Sequence, residues 1–248
     1  MKALVTGLNG TVAPILARTL RSAGHTIIPW NRSDVPINDH IAARNFIDRK
    51  QPDWFFHIAT GSPDWAELVA HICAEQDIRF LFTSSVSVYS ASQSGPFTVN
   101  ILPGPHDEYG RYKLECEQRV HAACPKALVV RLGWQIGIAP GGNQMVDYLD
   151  RTFKTHGRID ASTQWYPACS FLPDTAESLM HMLQTLPSGL YHLDGNPGLN
   201  FYEIAAGLNK VHGEPWTVNP VDTPVQNNRM VDQRVRMKSI SETLNAPL

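Results

Sequence analysis

Residues 2–13 read KALVTGLNGTVA, and the order of residue types in that stretch sets the reading of everything around it. An apolar run ends in a threonine, two glycines follow at positions 7 and 10, and TVAPILARTLRSAG (11–24) then carries apolar residues at helical spacing. A strand, a glycine turn and a helix in that order bring helix backbone amides to the carboxyl end of a strand. There the N–H groups of Gly10, Thr11 and Val12 can face a pyrophosphate, with the helix N-terminal dipole adding positive potential. Ala13 stands at the third small position of the turn and preserves close helix–strand packing. The stretch predicts a dinucleotide site, with a plain tight turn as the alternative.

The same alternation continues outward. HTIIPW (25–30), DWFFHIA (53–59), IRFLFTSS (78–85) and ALVVRLG (127–133) read as strands, and DHIAARNFIDRK (39–50), PDWAELVAHICAEQ (63–76) and the segment from Asp107 as helices. A loop rich in Ser, Gly and Pro occupies 90–106. Apolar strands alternating with helices imply an α/β, doubly wound parallel sheet whose ligands bind beyond the carboxyl ends of the strands. The second half is less regular: 145–157, 173–186 and 200–213 read as helices and 189–195 as a strand. We expect a dinucleotide domain over 1–133, completed by roughly 164–195, and a smaller substrate-binding lobe from 134–163 and 196–248.

Composition excludes several classes. A chain of 248 residues with 43% hydrophobic and 18% charged residues is that of a soluble globular protein. A formal charge of −2 leaves no basic footprint for nucleic acid or an acidic membrane surface. No apolar run approaches a membrane span, and MKALVTG enters a strand at once without export features, so a cytoplasmic location is expected. The four cysteines (Cys73, Cys116, Cys124, Cys169) and ten histidines show no metal-ligand spacing, and no catalytic metal is expected.

Three further stretches bear on chemistry. The second strand runs into Trp30-Asn31-Arg32-Ser33. Asn31 removes the charge that would repel a 2′-phosphate, Arg32 can pair with it and Ser33 can donate to it, which favours NADP(H) over NAD(H). FTSSVSVY (82–89) places a hydroxyl cluster, Ser85 among it, at the edge of the fourth strand. In DEYGRYKLECE (107–117), Tyr109 and Lys113 lie one helical turn apart on one face. An ammonium beside a phenol favours the phenolate and lowers a pKa of about 10. Asp107 and Glu108 read most simply as helix caps, and His57 as an interior histidine.

Taken together, these motifs resemble an extended short-chain dehydrogenase/reductase, and within that superfamily the dTDP-4-dehydrorhamnose reductase group, over nearly the whole chain. TGLNGTVA, PDWFFHIAT (52–60), FTSSVSVY, EYGRYKLECE, VVRLGWQIG (129–137), GGNQMV (141–146) and SGLYHLDGNPGLNFYEIAAGL (188–208) occur in that order. The resemblance implies a Rossmann domain and NADPH-dependent reduction of a carbonyl on a nucleotide sugar. It implies Tyr109 as proton donor or acceptor, Lys113 as its pKa-lowering partner and ribose ligand, and Ser85 as the carbonyl-orienting hydroxyl. Asn9, Ala59 and Thr60 fall at cofactor positions, and Val86, Trp134 and Asn143 at substrate positions. A nucleotide-sugar epimerase, another carbonyl reductase and an NADP-binding regulatory subunit are the alternatives, as a monomer or homodimer. The chain departs from the pattern at Val86 (usually Asp), Gly133 (usually Ser), Ile136 (usually Tyr) and Pro36-Ile37 (where an aspartate is usual), and its lobe is short. Arg229, Arg234 and Arg236 read equally as diphosphate ligands or as a solvated basic face, and Trp165-Tyr166 as pocket or packing.

Overall fold

The computed structural model of the protein describes residues 1–90 and 92–244. β1 (Lys2–Val5), α1 (Ala13–Ser22), β2 (Thr26–Pro29), α2 (His40–Lys50), β3 (Trp54–His57), α3 (Pro63–Glu75), β4 (Arg79–Ser85), α4 (Glu108–Ala123) and β5 (Leu128–Leu132) alternate through the first half. They are followed by β6 (Trp134–Ile136), α5 (Met145–His156), β7 (Ile159–Ser162), β8 (Trp165–Tyr166), β9 (Cys169–Phe171), α6 (Leu172–Thr185) and β10 (Gly189–Leu193). α7 (Phe201–Val211), β11 (Val218–Val221), β12 (Gln226–Asn227) and α8 (Ile240–Leu244) complete the described chain.

Six strands form one parallel sheet in the order β10-β5-β4-β3-β1-β2. Because side chains alternate across a strand, each central strand serves two cores. Leu4, Phe55, Phe80, Phe82 and Val129 point to the face covered by α2, α3 and α4, against Ile47, Val69 and Val120. Ala3, Val5, Phe56, Leu81 and Val130 point the other way, against Leu16 and Leu20 of α1 and Leu179 and Leu183 of α6. This two-sided burial is why the strands read as continuous apolar runs. The direction of winding reverses between β1 and β3, and a crevice opens above their carboxyl ends.

The lobe differs from the sequence expectation. Three short parallel pairs, β6–β9, β7–β11 and β8–β12, surround a core that includes Ile136, Val146, Phe171, Phe201, Leu208 and Trp216. Residues 164–171 pair with lobe strands, and the chain rejoins the central sheet only through α6 and β10. Strands of two to four residues are too short to display a period, so the sequence carried no signal for them. α1 begins at Ala13, two residues later than its periodicity suggests, with a proline in its first turn. Asp107 caps α4 by accepting the Gly110 N–H at 2.6 Å, which supports the capping reading of the acidic pair.

Two buried histidines tie the layers together. Thr6 Oγ1 accepts the N–H groups of Ile58 (3.0 Å) and Ala59 (3.1 Å), so its own proton goes to His57 Nδ1 at 3.1 Å. Burial first, then the charges of Lys113 and Arg32, hold the His57 imidazole down to about 3. His192 Nδ1 faces the Phe97 carbonyl at 3.1 Å and must carry the proton, leaving Nε2 to accept from the Tyr89 hydroxyl at 2.9 Å. Burial and then Arg131 hold His192 down to about 4. Both histidines are neutral in the folded protein at neutral pH.

Neutral burial has a measurable consequence. Between pH 6.5, the ordinary histidine value, and about 4, the unfolded chain takes up protons that the folded chain refuses. Stability therefore falls as pH falls through this window, by about 1.4 kcal/mol per pH unit for each histidine. Urea unfolding at pH 7, 6 and 5 should show the loss, and His192→Gln should make its slope shallower.

Candidate active site

The crevice has a volume of about 1000 Å³ and is floored by the carboxyl ends of β1 to β5. All the predicted site residues line it: Gly7, Asn9, Gly10, Thr11 and Val12 at the turn, Asn31, Arg32 and Ser33 after β2, and Ala59 and Thr60 after β3. Ser85, Val86, Tyr109, Lys113, Trp134 and Asn143 complete the set. Ile58, Thr83, Ser84, Ser87 and Gln135 also line it, and nothing in the sequence singles them out. Their signal was position alone, since residues at the carboxyl ends of parallel strands face such a crevice.

The glycine turn is held at close range to β3. Gly7 has φ +83°, and a Cβ there would lie 3.0 Å from the Ala59 nitrogen, so both conformation and space exclude a side chain. The Gly10 N–H closes the turn onto the Gly7 carbonyl at 2.8 Å. No side chain caps the N-terminus of α1, which leaves its first amides directed at the crevice.

At the far end, Asn31 is engaged in its own turn. Its Oδ1 accepts the Ser33 N–H at 3.1 Å and its Nδ2 donates to Asp34 Oδ2 at 2.9 Å. The Arg32 guanidinium stacks over the Trp65 ring at 5.1 Å and donates to the Thr60 carbonyl, which fixes a positive charge across the ends of β2 and β3.

The hydroxyl, phenol and amine meet on the opposite wall. Ser85 is the last residue of β4, and its Oγ accepts the Ser87 N–H at 3.1 Å as the chain turns through residues 86–88. Gly110, in the first turn of α4, presses on that turn so closely that a Cβ would overlap the Ser87 carbonyl. This contact is what brings Tyr109 to Ser85. Tyr109 is half exposed, whereas Lys113 is buried, its Nζ donating to the Thr83 carbonyl at 2.8 Å and lying 4.9 Å from the Phe82 ring centre and 5.9 Å from that of Tyr109.

The electrostatics correct one expectation. Burial brings the Lys113 ammonium down to about 8, with Cys116 and Glu117 pulling the other way. Burial also pushes the Tyr109 phenol above its ordinary value, against the hydrogen bond of Ser85, with Asp107 adding to the rise. The phenol is thus raised, not lowered, because desolvation dominates and the Lys113 ammonium is directed at Thr83. Tyr109 is a neutral acid near pH 7.

The lobe supplies the third wall. Trp134 stacks with Trp165 (6.1 Å, 21°) and Phe201 (6.0 Å, 25°) and meets Tyr148 edge-on at 5.2 Å. The loop before α5 winds around buried Gln144, whose Oε1 accepts from Gly137 and Val146 and whose Nε2 donates to Ala139 and Gly141. This arrangement lays Asn143 against the glycine turn, its N–H reaching Thr11 Oγ1 at 3.3 Å. Trp165 and Tyr166 do not line the crevice, nor do Arg229, Arg234 and Arg236. Arg229 stacks on Tyr166 and donates to Pro197, and Arg234 pairs with Asp232 and donates to Leu190, so these two fasten the tail to the fold. Among the described residues, no cluster of metal-ligating side chains occurs and no helix is long and apolar enough to cross a membrane.

Comparison with known proteins adds the following. Residues 1–245 match the family described as RmlD substrate binding domain. A dTDP-4-dehydrorhamnose reductase of Mycolicibacterium smegmatis is 27% identical over 236 residues, covering 88% of this chain and 71% of that protein. A 2′-dehydrokanamycin reductase of Streptomyces kanamyceticus is 29% identical over 252 residues, covering 91% and 70%. The crystal structure of a dTDP-4-dehydrorhamnose reductase of Bacillus anthracis in complex with NADP superposes with a TM-score of 0.83 at 19% identity, covering 98% of this chain and 97% of that one.

The turn's dependence on Thr6 can be measured. Thr6→Val keeps the side-chain shape but strips the Ile58 and Ala59 N–H groups of their acceptor. Urea unfolding should show a loss of about 2–4 kcal/mol, as expected for two orphaned donors.

Proposed function

The chain belongs to the RmlD substrate binding domain family, and from that premise we propose that it is an NADPH-dependent reductase of a ketone on a nucleotide-activated sugar. The observation that carries the reading is the convergence of Ser85, Tyr109 and Lys113 on one wall of a crevice whose other wall is the glycine turn. When bound, NADPH supplies the hydride. The turn at Gly7–Val12 and the uncapped start of α1 suit its pyrophosphate, Ala59 and Thr60 line the adjoining floor, and Arg32 with Ser33 suits a 2′-phosphate.

Tyr109 serves as the acid. Its raised phenol keeps its proton at neutral pH and gives it to the carbonyl oxygen as negative charge develops there. Ser85 orients that oxygen by a hydrogen bond. The Lys113 ammonium stabilises the phenolate left behind and commits only one of its three donors to Thr83. Trp134 packs on the sugar, with Val86 and Asn143 beside it.

A second reading is favoured by one feature of the crevice. Among the described residues that line it, the cations are Arg32 and Lys113; Arg229 and Arg234 are occupied elsewhere, and Arg236 does not line it. A substrate diphosphate would find no guanidinium at the lobe end, which fits a sugar ketone without that group, the class of the 2′-dehydrokanamycin reductase.

Three outcomes test these readings. NADPH oxidation against 4-keto nucleotide sugars and against keto-glycosides that carry no diphosphate separates the first from the second. Tyr109→Phe should lower kcat by about 10²–10⁴-fold while leaving the Kd for NADPH within about twofold, and unchanged turnover would remove Tyr109 from its role. Arg32→Ala should weaken NADPH, but not NADH, by about tenfold in a fluorescence titration.

A further inference from the structure

Glu117 and Arg131 form the most buried ion pair among the described residues, with side chains 8% and 2% exposed. Arg131 engages both carboxylate oxygens, Nε to Oε1 at 2.9 Å and Nη2 to Oε2 at 2.7 Å. Its Nη1 donates to the Tyr89 hydroxyl at 2.7 Å, which in turn meets His192. The reaction proposed above uses none of these groups. Yet Glu117 lies one turn beyond Lys113 on the same buried face of α4.

The surroundings of the Lys113 ammonium single this carboxylate out. β4 presents the Thr83 carbonyl, the Phe82 ring and the Ser84 and Ser85 hydroxyls. β3 presents His57, which is neutral, and the segment after β2 presents the Arg32 cation. α4 itself contributes Tyr109, Tyr112, Cys116 and Glu117, and β5 contributes Arg131 behind Glu117. The Tyr109 and Tyr112 phenols and the Cys116 thiol are all pushed up by burial and carry no charge near pH 7. Among these groups the Glu117 carboxylate supplies the negative charge. Arg131 meets that carboxylate with two prongs and fixes where it stands.

We propose that Glu117, oriented by Arg131, is a positioning residue for Lys113, keeping its ammonium charged and set against Thr83 during the reaction. The proposal rests on the reading of Lys113 as part of the reductase site. It also fixes the sign of each perturbation. Glu117→Gln removes the negative charge and leaves the Arg131 cation uncompensated, so Lys113 must release its proton at lower pH. Glu117→Gln combined with Arg131→Met removes both charges, and Lys113 must recover. A pair that merely held the fold together would give no such reversal.

The test uses the full chain labelled with ¹³Cε-lysine, the Lys113 signal being assigned by its loss in Lys113→Arg. Its NMR titration midpoint should move down by about one pH unit in Glu117→Gln and recover more than half of that in the double variant. Glu117→Asp, which keeps the charge, should move it by less than half as much as Gln, and Arg131→Met, which removes the cation alone, should move it up and decides the matter if Glu117→Gln does not fold. The alkaline limb of kcat/KM, near pH 8 in the wild type, should follow the same order. A midpoint unmoved in folded Glu117→Gln, left as low in the double variant as in Glu117→Gln, or not raised in Arg131→Met overturns the proposal. The titration is read without turnover, so a failure to find a ketone substrate counts against the proposed function alone.

Discussion

An ammonium group taken out of water needs a reason to stay charged, and that requirement organises this molecule. Lys113 sits in a wall of aromatic rings with a single backbone carbonyl as its hydrogen-bond partner. Burial brings its ammonium down to about 8. What opposes desolvation is a carboxylate one turn along α4, itself held by a guanidinium from β5 that also reaches the loop after β4 and, through a tyrosine, a histidine of β10. A charge at the crevice thus depends on four elements of the sheet and its connections. The parallel sheet supplies both what the amine needs, a free carbonyl at a strand end, and what it must be shielded by, two-sided apolar burial.

Much of this was legible in the chain and some of it was not, for physical reasons. Strands buried on both faces show as apolar runs, and the glycine turn shows because Gly7 must accept a positive φ against the Ala59 backbone. The one-turn spacing of Tyr109 and Lys113 follows from helix geometry. Contacts between residues far apart in the chain leave no such trace: Arg131 meets Glu117 and Tyr89, and Tyr89 meets His192, at separations of 14, 42 and 103 residues. Gly110 carries no mark in the sequence because its role, letting α4 touch the Ser87 carbonyl, concerns a neighbour brought there by the fold. The direction of the Tyr109 shift was missed for a related reason, since spacing reveals a nearby charge but not how much water has been removed.

The lobe was the least legible part. Its strands pair two by two over two to four residues, and its order comes from polar side chains acting on backbone. Gln144 satisfies all its capacity locally and shapes the loop that carries Asn143. Asp194 does the same at the end of β10, accepting the N–H groups of Cys169, Asn196 and Met230. Such anchors look like ordinary polar residues in a sequence.

The contact between Asn143 and Thr11 gives the two halves of the molecule one hydroxyl in common. That hydroxyl accepts the Asn143 N–H and keeps its own proton to give, so it can hold the loop and donate to an anion on the glycine turn at the same time. An occupant of the first compartment and the loop of the second thereby share one anchoring atom, with no contest between them.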